Sequence, residues 1–335
     1  TDTTTHSRYQ QSNWGRSAST ATAGVALLLV PSAAQISRLS RSPLGSPSHS
    51  SIHLLRQRRP MNVAKALLSK TTGGNAGANS KAQLQNMKKI PAGQLHVSKP
   101  TSWLESRFHF SFADYFNPAN NNFGALRVLN DDLVKGRSGF GAHPHRDAEI
   151  FSYIVDGELT HQDSMRNRES LGRGCVQYMS AGTGVMHSEM NEGDKTCRFL
   201  QVWLTPDKRG HEPQYGSSTY TKHDRHNQML LLLGGTSVVP EWKNVNLKGE
   251  RIRLHQDANV FVSENDAGVS HKVTLGRNRQ MYMVCIEGSM EVNGISLAMR
   301  DAMEVVASDS EHGLDVNMVA GSKGAHMLLI EMAQQ

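Results

Sequence analysis

Apolar and polar positions along the chain first fall into a regular pattern near Leu95. Residues 1–93 show no sustained helix or strand period, and they are rich in Ser, Thr, Ala, Arg and Gly. That composition predicts a disordered leader or a targeting segment. Beyond it, residues 108–116 partly alternate aromatic and polar side chains, as an edge strand entering a barrel would. Asn117-Pro118 and residues 120–122 mark turns. Residues 125–128 read as a strand, and residues 131–140, with Gly136 and Gly139, as a loop. From Glu149 to Leu204, short apolar runs are cut by turn signals at Asp156-Gly157, Asn167, residues 172–174 and residues 182–184. Strands this short and this regularly interrupted predict a β-sandwich or barrel. Residues 206–227 are polar and read as a surface linker. Their His211, His223 and His226 have no matched spacing and fit a solvated loop. An apolar strand at residues 229–233 follows, and residues 262–331 repeat the all-β style. The predicted fold class is all-β. It has a leader at 1–93, one barrel at 94–210 and a second at 211–335.

The two halves share a faint echo. Val155-Asp156-Gly157 resembles Ile286-Glu287-Gly288, an apolar residue, an acid and a Gly before a strand. His143 and His145 precede Gly157 by 14 and 12 residues, and the same offsets from Gly288 fall on Thr274 and Gly276. The second barrel is therefore expected to lack the His pair. His271 and His312 remain there as isolated, structural histidines.

The candidate chemistry lies between Gly141 and Asn191. His143-Pro-His145 and His187-Ser-Glu189 each place two potential ligands two residues apart, on one face of a strand. Three imidazoles and a carboxylate converging inside a barrel suit a divalent transition metal. The competing reading is a polar barrel interior satisfied by hydrogen bonds and water. Glu149 is a second candidate carboxylate. No Cys stands at ligand spacing, which argues against a closed structural zinc site.

Charge and cysteine content narrow the picture. The chain of 335 residues carries a net +6, but residues 1–104 hold 13 basic residues and one acid, Asp2. Residues 105–335 hold 23 basic and 29 acidic residues. The predicted folded part is mildly acidic and offers no broad nucleic-acid footprint. Cys175, Cys197 and Cys285 are odd in number and far apart, so they read as buried thiols of a reducing, intracellular compartment. No apolar run has membrane-spanning length. Residues 23–30, AGVALLLV, resemble a short secretory core. Arg56-Gln57-Arg58-Arg59 fits a nuclear signal, and Met61 is a candidate start whose following residues fit a mitochondrial leader. Cytoplasm, nucleus and mitochondrion all stay open.

The stretch GFGAHPHRDAEIFSYIVDGELTHQDSMRNRESLGRGCVQYMSAGTGVMHSEMN resembles the signature of the pirin family of the cupin superfamily. It is most similar to the bacterial pirin-like proteins described as quercetin 2,3-dioxygenases. The likeness runs upstream through FHFSFADYFNP and FGALRVLNDDLV and downstream through RFLQVWLTP, about two thirds of the chain. It implies two cupin barrels with one metal, held in the first by His143, His145, His187 and Glu189. Glu149 would then be a wall residue. The resemblance favours Fe(II), while ligand type alone also allows Mn, Ni, Co, Cu or Zn. It implies a small aromatic substrate and O2, with Glu189 as general base; a monomer is expected. Phe140, Tyr178, Met179 and Met186 flank the ligands and are expected to line the substrate pocket. The alternatives are a nuclear, metal-dependent binding protein that modulates transcription factors, and a cupin acting on another small acid or phenol. Neither direct nucleic-acid binding nor membrane association is expected.

Overall fold

The computed structural model describes residues 86–236, 242, 245–246, 252–307 and 313–335. The features at residues 23–30, Arg56, Met61 and His312 lie outside the described residues. In chain order the strands are β1 (Met87–Ile90), β2 (His96–Ser98), β3 (Leu104–Phe108), β4 (Leu126–Val134), β5 (Ser138–His145), β6 (Glu149–Asp156), β7 (Glu158–Asp163), β8 (Arg168–Gly172), β9 (Val176–Ser180), β10 (Val185–Asn191), β11 (Cys197–Leu204) and β12 (Gln214–Ser218). After one helical turn, Lys222–Arg225, come β13 (Met229–Gly234), β14 (Val245–Asn246), β15 (Ile252–Arg253), β16 (Ala258–Asn265), β17 (Ser270–Leu275), β18 (Arg279–Val292), β19 (Ile295–Ala298), β20 (Ala302–Val306) and β21 (Leu314–Ala333).

The first barrel pairs a seven-stranded sheet, ordered β12-β9-β6-β11-β4-β3-β2, with a four-stranded sheet, β5-β10-β7-β8. The second is one ten-stranded sheet built around β18 and β21. This is the expected all-β, two-barrel architecture, although the barrels exchange edges. β1 pairs with β20 of the second barrel, so the fold begins before residue 94. β12 pairs with β9, so the first barrel reaches Ser218, beyond residue 210. Asp131–Val134 and Ser138–Phe140, expected as loop, lie in β4 and β5. The linker region holds β12 and a buried Asp224-Arg225 pair.

β6 is apolar from Ile150 to Val155 apart from Ser152, because both of its faces are covered. Phe151, Tyr153 and Val155 join Leu200, Val202, Leu230, Val262, Tyr282 and Leu328 in one cluster between the barrels. The intervening residues, Ile150, Ser152 and Ile154, line the first barrel's interior. At the same junction Asp131 accepts two bonds from Arg198, at 2.8 and 2.7 Å, and one from Arg300, at 2.7 Å. The three cysteines are free and buried.

His109 also crosses this junction. Its Nδ1 lies 2.8 Å from the Tyr282 hydroxyl, and Nε2 has no partner. Burial brings its imidazole down to about 4, against a raising pull from the Asp131 charge. A histidine kept neutral in the fold contributes its full stability above its ordinary value of 6.5. That stability is lost as pH falls towards 4, because the unfolded chain takes up the proton first. At pH 5 the loss is about 2 kcal/mol. His109→Gln should flatten the acid limb of a melting-temperature series between pH 6.5 and 4. An unaltered limb would place the acid sensitivity elsewhere.

Candidate metal centre

The site is assembled on the β5–β10 ladder. Val185 pairs with His145, His187 with His143 and Glu189 with Phe140. Two β10 residues thus span three on β5, a bulge that keeps Phe140 on the same face as Glu189. Coordinating nitrogens of His143, His145 and His187 lie within 4.8 Å of one another. Among the described residues this is the one cluster of three or more potential ligands. His143 Nε2 and His187 Nε2 are 3.1 Å apart. His143 Nδ1 donates to the Gly141 carbonyl at 2.7 Å, leaving its Nε2 lone pair free.

Burial, followed by the neighbouring His143, pushes the His145 imidazole down to about 3. Burial also pushes His187 well below its usual range, helped by His145, His143 and His161. His145 and His187 are therefore neutral at physiological pH, the form a metal requires. Three convergent imidazoles fit a divalent transition ion.

Glu189 shares the face of His187 and is 2 % exposed. Its Oε1 accepts from Ser152 Oγ and its Oε2 from Gln201 Nε2, each at 2.6 Å. Glu149 is turned the other way, towards the second barrel. It accepts from the Tyr178 and Ser180 hydroxyls at 2.5 and 2.7 Å and from the His255 amide at 2.9 Å. Asp132, behind Glu189, is a buried acid bonded to Ser106. Burial, then the charges of Asp131 and Glu189, push it up to about 7 against the Ser106 bond.

The expected pocket residues separate. Met179 packs with Ile150, Val185 and Trp203 into an apolar wall. Trp203 meets the His145 ring edge-on at 4.6 Å. Phe140 packs against Trp103 at the barrel's apolar base. Tyr178 and Met186 do not face the imidazoles. Tyr178 belongs to the inter-barrel cluster, on the opposite face of β9 from Met179. Met186 alternates with His187 and points outward, 44 % exposed. In strands, neighbours in sequence stand on opposite faces.

Sequence reasoning missed His161, Asp163, Ser152 and Gln201. His161 Nδ1 lies 3.4 Å from His187 Nδ1, and its Nε2 lies 3.0 Å from Asp163 Oδ2. The signal was present as a third pair at spacing two, His161-Gln162-Asp163. Ser152 and Gln201 were single polar residues inside apolar strands.

Comparison with known proteins agrees with this geometry. Residues 88–204 match the family model described as Pirin, and residues 246–332 match Quercetinase C-terminal cupin domain. A pirin-like protein of Caulobacter vibrioides is 40% identical over 199 residues, covering 59% of this chain and 82% of its own. The chain belongs to the pirin family. A quercetin 2,3-dioxygenase of Escherichia coli K12 is 34% identical over 206 residues, covering 61% of this chain and 83% of the relative. The crystal structure of the E. coli bacterial pirin YhhW in complex with nickel(II) superposes with a TM-score of 0.64 at 27% identity. It covers 74% of this chain and all of YhhW. A two-barrel pirin with a three-imidazole centre is thus suited to hold a divalent metal. No helix among the described residues is long and apolar enough to cross a membrane.

Proposed function

We propose that this pirin is a metal-dependent dioxygenase that opens the heterocyclic ring of a flavonol such as quercetin, using O2 and releasing carbon monoxide. The observation that carries the reading is the cluster of three imidazoles on the same ladder as the buried Glu189 carboxylate. The dioxygenase name of the E. coli relative supports it. His143, His145 and His187, joined by Glu189, would hold the metal, and Fe(II) is the ion we favour. Bound there, it would supply Lewis acidity towards the substrate's 3-oxygen and the means of reacting with O2.

The protein's part is proton handling and placement. Glu189 takes the 3-hydroxyl proton as general base. Ser152 and Gln201 hold both of its oxygens, so the carboxylate is positioned before substrate arrives. Trp203, half-buried against the His145 ring and backed by the buried Met179 and Ile150, offers apolar surface for an aromatic ring.

Incubation of the metal-loaded chain with quercetin under air, following absorbance and carbon monoxide, tests the reading. Glu189→Gln should cut turnover by about 10²- to 10⁴-fold while retaining most of the bound metal. Undiminished turnover in that variant would remove the base role. Bound metal without turnover of any flavonol would favour the non-enzymatic alternative, a metal-dependent binding protein that modulates transcription factors.

A further inference from the structure

Beside the ligands stands a second ordered pair. β10 pairs with β7 so that His187 lies opposite Asp163 and Glu189 opposite His161. All four side chains therefore occupy one face on adjoining rungs of the ladder. Asp163 is fully buried and rigidly held. Its Oδ1 accepts from the Met165 and Asn167 amides at 2.8 and 3.1 Å, and its Oδ2 from Asn167 Nδ2 at 2.9 Å. The turn that closes β7 thus supplies three donors to one carboxylate. His161 is clamped as well, stacked on Tyr215 at 4.9 Å and 26°. The Tyr215 hydroxyl in turn donates to Glu169 at 3.0 Å.

We propose that His161 and Asp163 are positioning residues that fix the tautomer and orientation of His187. This rests on the reading that His187 ligates the metal. A carboxylate can only accept, so His161 must donate to Asp163 from Nε2, 3.0 Å away. With that nitrogen engaged by Asp163, His161 turns its other ring nitrogen, Nδ1, to His187. In the proposed arrangement His161 Nδ1 accepts and His187 Nδ1, 3.4 Å away, carries the proton. His187 Nε2 is left bare and aimed at His143 Nε2. His143 reaches the same state by another route, with the Gly141 carbonyl as acceptor. The two histidines are thus preset as Nε2 ligands by two different acceptors. Partners of this kind typically govern metal affinity by about 10- to 100-fold.

Two readouts test the proposal in the full chain. The first is the tautomer of His187 in metal-free protein, read from long-range ¹H–¹⁵N imidazole spectra. The Nδ1–H form is expected in the wild type and a mixture of tautomers in His161→Leu. The second is Co(II) affinity, expected to fall about 10- to 100-fold in His161→Leu. It should recover in part in His161→Gln, whose amide oxygen restores an acceptor. A His161→Leu chain that melts normally, keeps the His187 tautomer and binds Co(II) as tightly as wild type would overturn the proposal. So would an Nε2–H form of His187 in the wild type. A wild type that bound no Co(II) would instead sink the metal reading, and the tautomer spectra would still decide the relay.

Discussion

Replacing His143 and His187 together with alanine is expected to abolish metal binding and every metal-dependent activity while leaving the fold standing. The double change removes two of the three imidazoles whose nitrogens lie within 4.8 Å. His145 and Glu189 remain as two separated donors, too few to retain a transition ion against solvent. The affinity loss should far exceed the roughly 10–100-fold that follows loss of an outer hydrogen-bond partner. The fold should survive because neither ring belongs to the large apolar clusters, and β5 and β10 keep their backbone ladder. Metal content by mass spectrometry and a thermal melt of the metal-free chain check both halves. A double variant that still carried a full complement of metal would put the site elsewhere.

Asp131→Ala is expected to be the most destabilising single change at the junction of the barrels. Burial by itself would raise the Asp131 carboxyl. The Arg198 and Arg300 guanidiniums more than offset this and hold it below its usual range. Arg198 also donates to the Ile286 carbonyl at 3.0 Å, so it cannot swing away without a further loss. Removing the carboxylate leaves two largely buried guanidiniums without their counter-charge. Breaking a buried pair in this way costs about 3–5 kcal/mol, which in a chain this size is a fall in melting temperature on the order of 10 °C. Arg300→Met in the same background should recover part of it by removing one of the stranded charges. A melting temperature within a degree of wild type would show that the Asp131 cluster adds little to the joining of the barrels.

How far the sequence could be read followed from which patterns are local. The His143/His145 and His187/Glu189 pairs were legible because strand period alone puts residues two apart on one face. The two barrels were legible from short, Gly-broken strands and from the echo around Gly157 and Gly288. The face that Glu149 adopts was not. β6 is apolar on both sides, so the pattern contains no sign of which side turns inward. Tyr178 and Met186 adjoin the site in sequence and alternate away from it in space. Residues 131–140 looked like loop because Asp131 and Asp132 are charged residues in a strand. Their partners, Arg198, Arg300 and Ser106, come from distant or adjoining strands that only the fold brings together. The pairing of β1 with β20 and of β12 with β9 was hidden for the same reason, since an edge strand's partner is set by tertiary packing.

Everything proposed for this site depends on His143, His145 and His187 forming a metal centre. The most direct measurement is on the full chain purified without added metal, with metal content determined and X-ray absorption recorded at the edge of the metal found. About one divalent transition metal per chain is expected, bound by imidazole nitrogens with oxygen completing the shell. A chain that takes up no metal even after anaerobic loading with Fe(II), or that binds one without imidazole scattering, would contradict it.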